Sequence, residues 1–159
     1  MLFRSVLVLD HLSIVVSGMD LEGDERRMID HTMTRLRQFT EETGASLFLV
    51  SHLRRPNGNQ GHEEGAETSL SQLRGSHAIA QLSDAVIGLE RNQQSESDSD
   101  RNTTVVRVLK NRFAGTTGIA CALRYDADTG RLSEVPFAYD GEGNVITEAD
   151  SGTGADAPF

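Results

Sequence analysis

The chain is poor in cysteine, which limits its possible chemistry. Cys121 is the only cysteine among 159 residues, so an internal disulfide is impossible. A single cysteine is most often a small buried hydrophobic residue, and we assign no reaction to it. Hydrophobic residues make up 37% of the chain and charged residues 25%. This composition indicates a soluble globular protein rather than a disordered, fibrous or membrane protein.

The chain also lacks a recognisable targeting segment. Residues 1–16 are apolar enough to resemble a signal peptide, but Asp10 and His11 interrupt the run and no small-residue cleavage site follows. We therefore expect a cytoplasmic protein that has no contact with a membrane.

Basic residues are missing from the end of the chain. No Lys or Arg follows Arg131, and the net charge of the whole chain is −9. Such a charge argues against binding of nucleic acid through the electrostatic field of the whole protein, because affinity for phosphates comes from Lys and Arg. The basic residues are concentrated in the body of the chain, and acidic residues dominate its end. From Phe137 onward, few large apolar residues remain, which predicts a disordered acidic tail over 137–159.

The first part of the sequence predicts a strand, a helix and a second strand. Ser5–Asp10 and Ser46–Val50 are short continuous apolar runs, typical of parallel strands that are buried on both faces. Between them, Asp24–Thr43 carries apolar residues on one helical stripe and is followed by Gly44, a common helix stop. The order of these elements predicts a βαβ unit with parallel strands.

The rest of the body extends this pattern. We predict an exposed loop over Leu53–Ser69, a solvated acidic connection over Ser95–Asp100 and the following further elements: a helix over Ser71–Leu82, strands over Ala85–Leu89 and Thr103–Lys110, and a terminal antiparallel hairpin formed by Ile119–Tyr125 and Arg131–Val135 around Asp128-Thr-Gly130. The fold class is therefore α/β, with one domain over 1–136, a mostly parallel sheet and a C-terminal β-hairpin.

A carboxylate ends the first predicted strand, and a histidine ends the second. Open α/β sheets bind ligands beyond the carboxyl ends of their strands, and in nucleotide hydrolases an aspartate there holds Mg²⁺ through water. Asp10 is such a candidate, and the alternative is an aspartate that caps a turn. His52 can donate to a terminal phosphate or be a hydrogen-bonded structural residue. The βαβ connection predicts that the two side chains lie side by side over one crevice.

Several cations lie next to predicted elements. Arg74 lies in a short glycine-bearing turn before a predicted helix, where backbone N–H groups and a guanidinium could meet a phosphate. Arg91 follows the third strand, and Lys110 and Arg112 lie at the end of the fourth. Guanidinium groups at strand ends can neutralise charge on a transferring phosphoryl group, from the same or a neighbouring subunit. The alternative for each is an ordinary surface cation.

Six segments in order resemble the RecA-like motor of phage helicase-primases, with bacterial DnaB and mitochondrial Twinkle as more distant relatives. The segments are residues 8–16, Ser51-His-Leu53, Leu73-Arg-Gly-Ser76, Gln81-Leu-Ser-Asp84, Leu89-Glu-Arg-Asn-Gln-Gln94 and Leu109-Lys-Asn-Arg-Phe-Ala-Gly115. The resemblance covers roughly residues 5–135. It implies a RecA-like three-layer core fragment from a ring-shaped hexameric helicase, which uses ATP or another NTP with Mg²⁺ and translocates on single-stranded DNA. It also places the protein in the bacterial host cytoplasm if a phage encodes it.

The resemblance also implies roles for individual residues. Asp10 is the Walker B aspartate that holds Mg²⁺ through water, His52 senses the γ-phosphate, and Arg112 is the arginine finger for the next subunit. Arg91, near Arg112, and also Lys110 and Tyr125 belong to the nucleotide site. The DNA-binding and coupling residues are Arg54, Arg55, Arg74, Gly75 and Gln81.

The sequence departs from the family pattern in two places. The predicted DNA-facing loop has Arg54 and Arg55 but then continues with Asn57, Gly58, Asn59 and Gln60 where relatives carry several basic residues. More importantly, the phosphate-binding pattern Gly-x-x-x-x-Gly-Lys-[Ser/Thr] is missing, together with the catalytic glutamate that precedes Walker B. We therefore expect the chain to be inactive until a P-loop-bearing half is supplied.

Three functions follow from these observations. The first is the C-terminal part of a replicative DNA helicase that hydrolyses NTP and unwinds duplex DNA. The second is a non-catalytic adaptor that recruits replication proteins through its acidic tail, and the third is a degenerate remnant. The tail ends in Phe159, an aromatic ring beside the terminal carboxylate, which suits an apolar pocket next to a cationic patch. By resemblance to phage helicases, its expected partner is the replicative DNA polymerase.

Overall fold

The computed structural model describes residues 5–17, 24–56, 61–73, 77–139 and 145–147. The chain divides into two compact units. The first unit comprises residues 1–55 and 69–86, and the second comprises 56–68 and 87–159. Among the described residues, no helix is long and apolar enough to cross a membrane.

The first unit contains the predicted βαβ arrangement. Its elements are β1 (Val6–Leu9), α1 (Leu12–Ser17), α2 (Glu25–Thr43), β2 (Ser46–Leu49) and α3 (His77–Leu82), with a short 3₁₀ helix at Leu70–Gln72. β1 and β2 are parallel, and their register runs from Val6 opposite Ser46 to Leu9 opposite Leu49. Both predicted ends of α2 are confirmed, because Asp24 caps its first turn and Gly44 ends it in the left-handed region at φ 70°.

The core of the first unit lies on one face of this two-stranded sheet. Leu12, Val16, Ile29, Met33 and Ile79 are buried together, and Leu49 of β2 packs against them. Alternate residues of a strand point to opposite faces, so Val8 and its partner Phe48 point away from this core. Their exposed fractions are 72% and 61%. The prediction that these strands are buried on both faces is therefore wrong: on the face toward the core, Leu9, Leu47 and Leu49 are half-buried and Leu7 is exposed.

The second sheet corrects the prediction of a mostly parallel sheet. It has four strands in the order β3 (Ala85–Glu90), β4 (Thr103–Asn111), β5 (Gly118–Tyr125) and β6 (Leu132–Val135), with helix α4 (Asp98–Arg101) before β4. β4 pairs with β5 and β5 with β6 in antiparallel orientation. Residues 112–117, which join β4 to β5, are too few for the crossover that parallel neighbours require. The predicted hairpin of β5 and β6 is confirmed.

A third pair of strands begins where disorder was predicted. β7 (Phe137–Tyr139) and β8 (Val145–Thr147) are antiparallel, with Phe137 opposite Thr147. The two strands are joined by backbone pairing, which composition alone does not reveal. Residues 148–159, including Phe159, lie outside the described residues.

Candidate functional site

Asp10 and His52 lie at the same end of the two-stranded parallel sheet, as predicted. Asp10 follows β1 directly, and His52 follows β2 by three residues. The backbone N–H of Val50 donates to the carbonyl oxygen of Leu9 at 2.9 Å, and the N–H of Leu12 donates to the carbonyl oxygen of Val50 at 3.0 Å. These hydrogen bonds extend the register beyond the last paired residues. Both side chains are exposed, so a ligand can reach them from solvent.

His11 was not selected from the sequence, yet it contacts His52. The centroids of the two imidazole rings are 4.3 Å apart and their planes are inclined by 72°, an edge-to-face arrangement. His11 is half-buried, whereas His52 is exposed. The only signal in the sequence is that His11 follows Asp10. The contact itself depends on the register of β1 and β2 and on how the chain enters α1.

The predicted DNA-binding residues of the first unit lie on two segments that are joined by backbone contacts. Leu53 forms an antiparallel bridge with Leu73, and the N–H of Arg54 donates to the carbonyl oxygen of Gln72 at 2.7 Å. Arg54 and Arg55 are exposed on the first segment, and Gln81 is exposed on α3. Arg74 and Gly75 lie outside the described residues.

The predicted nucleotide-binding residues of the second unit are divided between the two ends of β4. At its beginning, Arg91 Nη2 donates to Asn102 Oδ1 at 3.4 Å, and Arg91 Nε donates to the carbonyl oxygen of Arg101. The N–H of Tyr125 donates to the carbonyl oxygen of Asn102 at 2.7 Å. Arg91 and Tyr125 therefore lie together around Asn102.

Lys110 and Arg112 lie at the opposite end of β4, which is 9 residues long. The guanidinium of Arg91 contacts Arg101 and Asn102, which precede the strand, whereas Arg112 follows its last residue. The guanidinium of Arg91 and Arg112 therefore lie at different ends of β4 in the second unit.

Arg112 lies in a tight, exposed turn. Asn111 Oδ1 accepts hydrogen bonds from the N–H groups of Phe113 and Ala114, each at 3.1 Å. The N–H of Gly115 donates to the carbonyl oxygen of Asn111 at 2.9 Å, and Gly115 adopts φ 70°, which favours glycine. These contacts fix the backbone on both sides of Arg112 and hold it at the end of the sheet.

The second unit also contains a buried ion pair that the sequence did not indicate. Arg107 Nε donates to Glu90 Oε1 at 2.7 Å, and Arg107 Nη2 donates to Glu90 Oε2 at 3.1 Å. Glu90 Oε1 also accepts from the N–H and the hydroxyl of Thr68, both at 2.7 Å. Glu90 of β3 thus contacts both Thr68 and Arg107 of β4. Period-two patterning cannot identify such a pair, because both residues look like ordinary surface charges in a strand.

Thr68 approaches strand β3 closely at Gly88. A methyl group at Gly88 would lie 1.9 Å from the hydroxyl oxygen of Thr68, so a larger residue there would displace Thr68.

The partners of Glu90 lower the pKa of its carboxyl group. Burial by itself would raise this pKa, but hydrogen bonds from Arg107 and Thr68 outweigh the effect of burial, and the pKa lies below its usual value. Glu90 is therefore charged at neutral pH, and its charged form is stabilised by Arg107 and Thr68.

We expect Arg107→Ala to lower the free energy of unfolding by about 3 kcal/mol, because it leaves the buried Glu90 carboxylate without its cation. Urea denaturation followed by circular dichroism measures this change. Glu67→Ala is the matched control, since Glu67 accepts from the same guanidinium at 2.8 Å but its side chain is 73% exposed. Its loss should be below about 1 kcal/mol. Equal losses for the two variants would contradict the importance of burial.

The same ion pair predicts a dependence of stability on pH. Because the folded-state pKa of Glu90 is below its ordinary value of about 4.3, its contribution is complete above that pH. The contribution is lost as the pH falls through the lower, folded-state pKa. Urea titrations from about pH 6 to pH 3 should show a smaller fall in stability for Glu90→Gln than for the unchanged chain. Parallel pH curves would contradict this assignment.

The described residues contain no cluster of three or more His, Cys, Asp or Glu side chains that could hold a metal ion. Mg²⁺ does not require such a cluster, because it keeps several waters and is usually bound by one or two carboxylates together with substrate phosphates. The exposed carboxylate of Asp10 fits this mode of binding. The donor set therefore agrees with a magnesium ion that arrives with a nucleotide.

Comparison with known proteins identifies the class of this fold. The family model of the DnaB-like helicase C terminal domain matches residues 4–134. This range includes Asp10, His52 and all of strands β1 to β5. The chain belongs to this family. It is similar to a DNA helicase/primase of Enterobacteria phage T3, with 49% identity over 143 residues. The match covers 88% of this chain and 24% of the relative, so the chain spans about a quarter of that protein's length.

Proposed function

We propose that this chain is the C-terminal part of the motor of a phage replicative DNA helicase, which couples NTP hydrolysis to translocation on single-stranded DNA and to duplex unwinding. The observation that carries the proposal is the placement of Asp10 and His52 at adjacent ends of parallel strands in a DnaB-like helicase domain. The name of the phage T3 relative agrees with a role in DNA replication. The chain works in the host cytoplasm as one subunit of a ring hexamer.

In this function Asp10 would hold Mg²⁺ through a water molecule, and the bound ion would supply charge neutralisation at the nucleotide phosphates. His52 donates to the γ-phosphate and responds to its loss. Arg91 and Tyr125, which lie together around Asn102, contact the nucleotide, and Lys110 adds positive charge. Arg112 acts on the nucleotide of the neighbouring subunit, which agrees with its exposed position in a fixed turn.

DNA binding is assigned to the two joined segments of the first unit. Arg54 and Arg55 contact the phosphates of single-stranded DNA, while Arg74, Gly75 and Gln81 couple that contact to hydrolysis. The bridge between Leu53 and Leu73 supports this assignment, because it joins the segment of Arg54 and Arg55 to the segment that ends at Leu73.

The acidic tail, residues 137–159, is proposed to bind the replicative DNA polymerase through Phe159. The proposal rests on the composition of the tail and on the resemblance to phage helicases. Low apolar content and negative charge leave such a segment available to a basic partner.

The P-loop of the motor must come from another segment, because the pattern is missing from the 159 residues. The open face of the first unit supports this view. Val6, Val8 and Phe48 expose an apolar surface on a parallel sheet, and parallel sheets are normally covered on both faces. We expect the P-loop-bearing segment to cover this surface.

To test the proposal, the matching segment of the phage T3 DNA helicase/primase is replaced by this chain, and the resulting protein is the chimera. We expect DNA-stimulated NTP hydrolysis by the chimera and none by the chain alone, which lacks the N–H groups that hold most of the phosphate charge. Calorimetry should show negligible binding of MgATP to the chain alone. Hydrolysis by the chain alone would require a different nucleotide site, and a folded but inactive chimera would contradict the proposed function.

Val8→Ser with Phe48→Ser provides a second test in the same system. The double change should reduce self-association of the chain alone, because it removes exposed apolar area. In the chimera it should lower stability, because the same area is then buried. Ile14→Ser is the control, since Ile14 is 59% exposed on α1 rather than on this face of the sheet. Equal effects of the two changes in the chimera would contradict coverage of the sheet.

A further inference from the structure

His11 lies in the proposed catalytic region but has no role in the function described above. Its position is fixed by the backbone. It follows Asp10 directly and precedes Leu12, whose N–H donates to the carbonyl oxygen of Val50 at 3.0 Å. The residues on both sides of His11 are therefore attached to the ends of β1 and β2. The backbone of His11 therefore cannot move away without disturbing one of these attachments.

The backbone after His52 is attached through Leu53 to Leu73, but the side chain of His52 itself is exposed. An exposed side chain samples several rotamers within nanoseconds, whereas a residue that reports on a phosphate needs a defined orientation. The edge-to-face contact with His11, at 4.3 Å and 72°, is an interaction that restricts this ring.

A second observation separates His11 from an ordinary surface histidine. Within the part of the chain that the structure describes, His11 Nδ1 is buried and has no hydrogen-bond partner. Buried polar atoms in proteins are nearly always hydrogen-bonded, and exceptions are often found at functional positions.

We propose that His11 is a positioning residue, which fixes the imidazole ring of His52 relative to Asp10 through edge-to-face ring contact. This inference rests on the proposed function, because it assumes that His52 contacts the nucleotide. His11 itself does not touch the substrate. Its effect is to increase the fraction of molecules in which the ring of His52 faces the γ-phosphate, and hence to raise the rate of hydrolysis rather than the affinity for nucleotide.

Four variants of the chimera test the inference. His11→Ala removes the ring, and His11→Leu removes it while filling the space. His11→Phe keeps an aromatic ring without a polar atom, and His11→Asn keeps a polar atom near the position of Nδ1 without a ring. We expect kcat to fall about tenfold for Ala, Leu and Asn, because small errors in the position of a reacting group have large effects on rate. Phe should stay within about threefold of the unchanged chimera, and KM for MgATP should change less than about twofold in all four.

The contact can also be observed in the isolated 159-residue chain. The ring proton resonances of His52 in NMR spectra should shift in His11→Ala, because the neighbouring ring is removed. His31→Ala is the control, since His31 is exposed on α2 and should leave the His52 resonances unchanged. Unshifted His52 resonances in His11→Ala would overturn the ring contact.

The outcomes separate failure of this inference from failure of the proposed function. If His52→Ala leaves hydrolysis by the chimera intact, the proposed site is wrong. If His52→Ala abolishes hydrolysis but the four His11 variants are fully active, only the role of His11 is overturned. Activity in His11→Asn together with loss of activity in His11→Phe would also overturn the role of His11, because the polar atom rather than the ring would then be required. If Ala unfolds the chimera, the comparison of Leu with Phe decides the question.

Discussion

Asp10→Asn should reduce DNA-stimulated hydrolysis by the chimera at least about a hundredfold, a loss of the size seen when one preorganised electrostatic group is removed from an active site. The amide is nearly the same shape as the carboxylate but carries no charge, so it cannot hold the water ligand of Mg²⁺ in the same way. Because Asp10 is exposed at the end of β1, the fold should be unaffected. Steady-state kinetics together with thermal denaturation measure both quantities.

Glu42→Gln is the matched control for Asp10→Asn. It also converts an exposed carboxylate to an amide, but on the last turn of α2. We expect activity and melting temperature to stay close to those of the unchanged chimera. His52→Ala should reproduce the effect of Asp10→Asn, because both side chains are proposed to act on the same phosphate. A parallel loss of folded structure in either site variant would mean that the residue is structural.

Arg112→Ala should lower kcat of the chimera about a thousandfold, the lower end of the range for an arginine finger. In the proposed role the guanidinium would stabilise charge that develops only in the transition state, so KM for MgATP should change little. Arg27→Ala, which removes an exposed arginine of α2, is the control and should be without effect.

Mixed rings test whether Arg112 acts on the neighbouring subunit. Arg112→Ala subunits keep their own Asp10 and His52 and should still bind nucleotide. When they are added to unchanged subunits, activity should fall more steeply than the fraction of unchanged subunits, because each variant subunit inactivates a neighbour's site and blocks coordinated hydrolysis. A strictly proportional fall would contradict a site shared between subunits.

Much of the local structure could be predicted because it depends on short-range patterns. Asp24 and Gly44 bracket α2 since a capping side chain and a left-handed glycine act on their own helix ends. The turn between β5 and β6 is similarly local: the carboxylate of Asp126 accepts from the N–H of Thr129 at 2.8 Å, which lowers the pKa of that carboxyl. The resemblance to phage helicases, carried by motifs in order, was confirmed by the family match.

The orientation of the second sheet could not be predicted from its strands alone. Apolar runs such as Ala85–Leu89 and Thr103–Lys110 look the same in parallel and antiparallel sheets once both faces are partly covered. Connection length is the better guide, and the short link between β4 and β5 permits only the antiparallel arrangement. The paired strands β7 and β8 were missed because composition does not report backbone hydrogen bonding between segments eight residues apart.

The sequence by itself determined the family of this protein, the βαβ order of its first unit and the identity of Asp10 and His52 as residues at neighbouring strand ends. These features depend on residue type, spacing and chain order. Only the tertiary structure decided that His11 contacts His52, that Arg107 neutralises the buried Glu90, and that Arg91 and Arg112 lie at opposite ends of β4. The physical reason is that register and strand direction bring together residues that are distant in the chain, and neither is encoded in the local pattern around those residues.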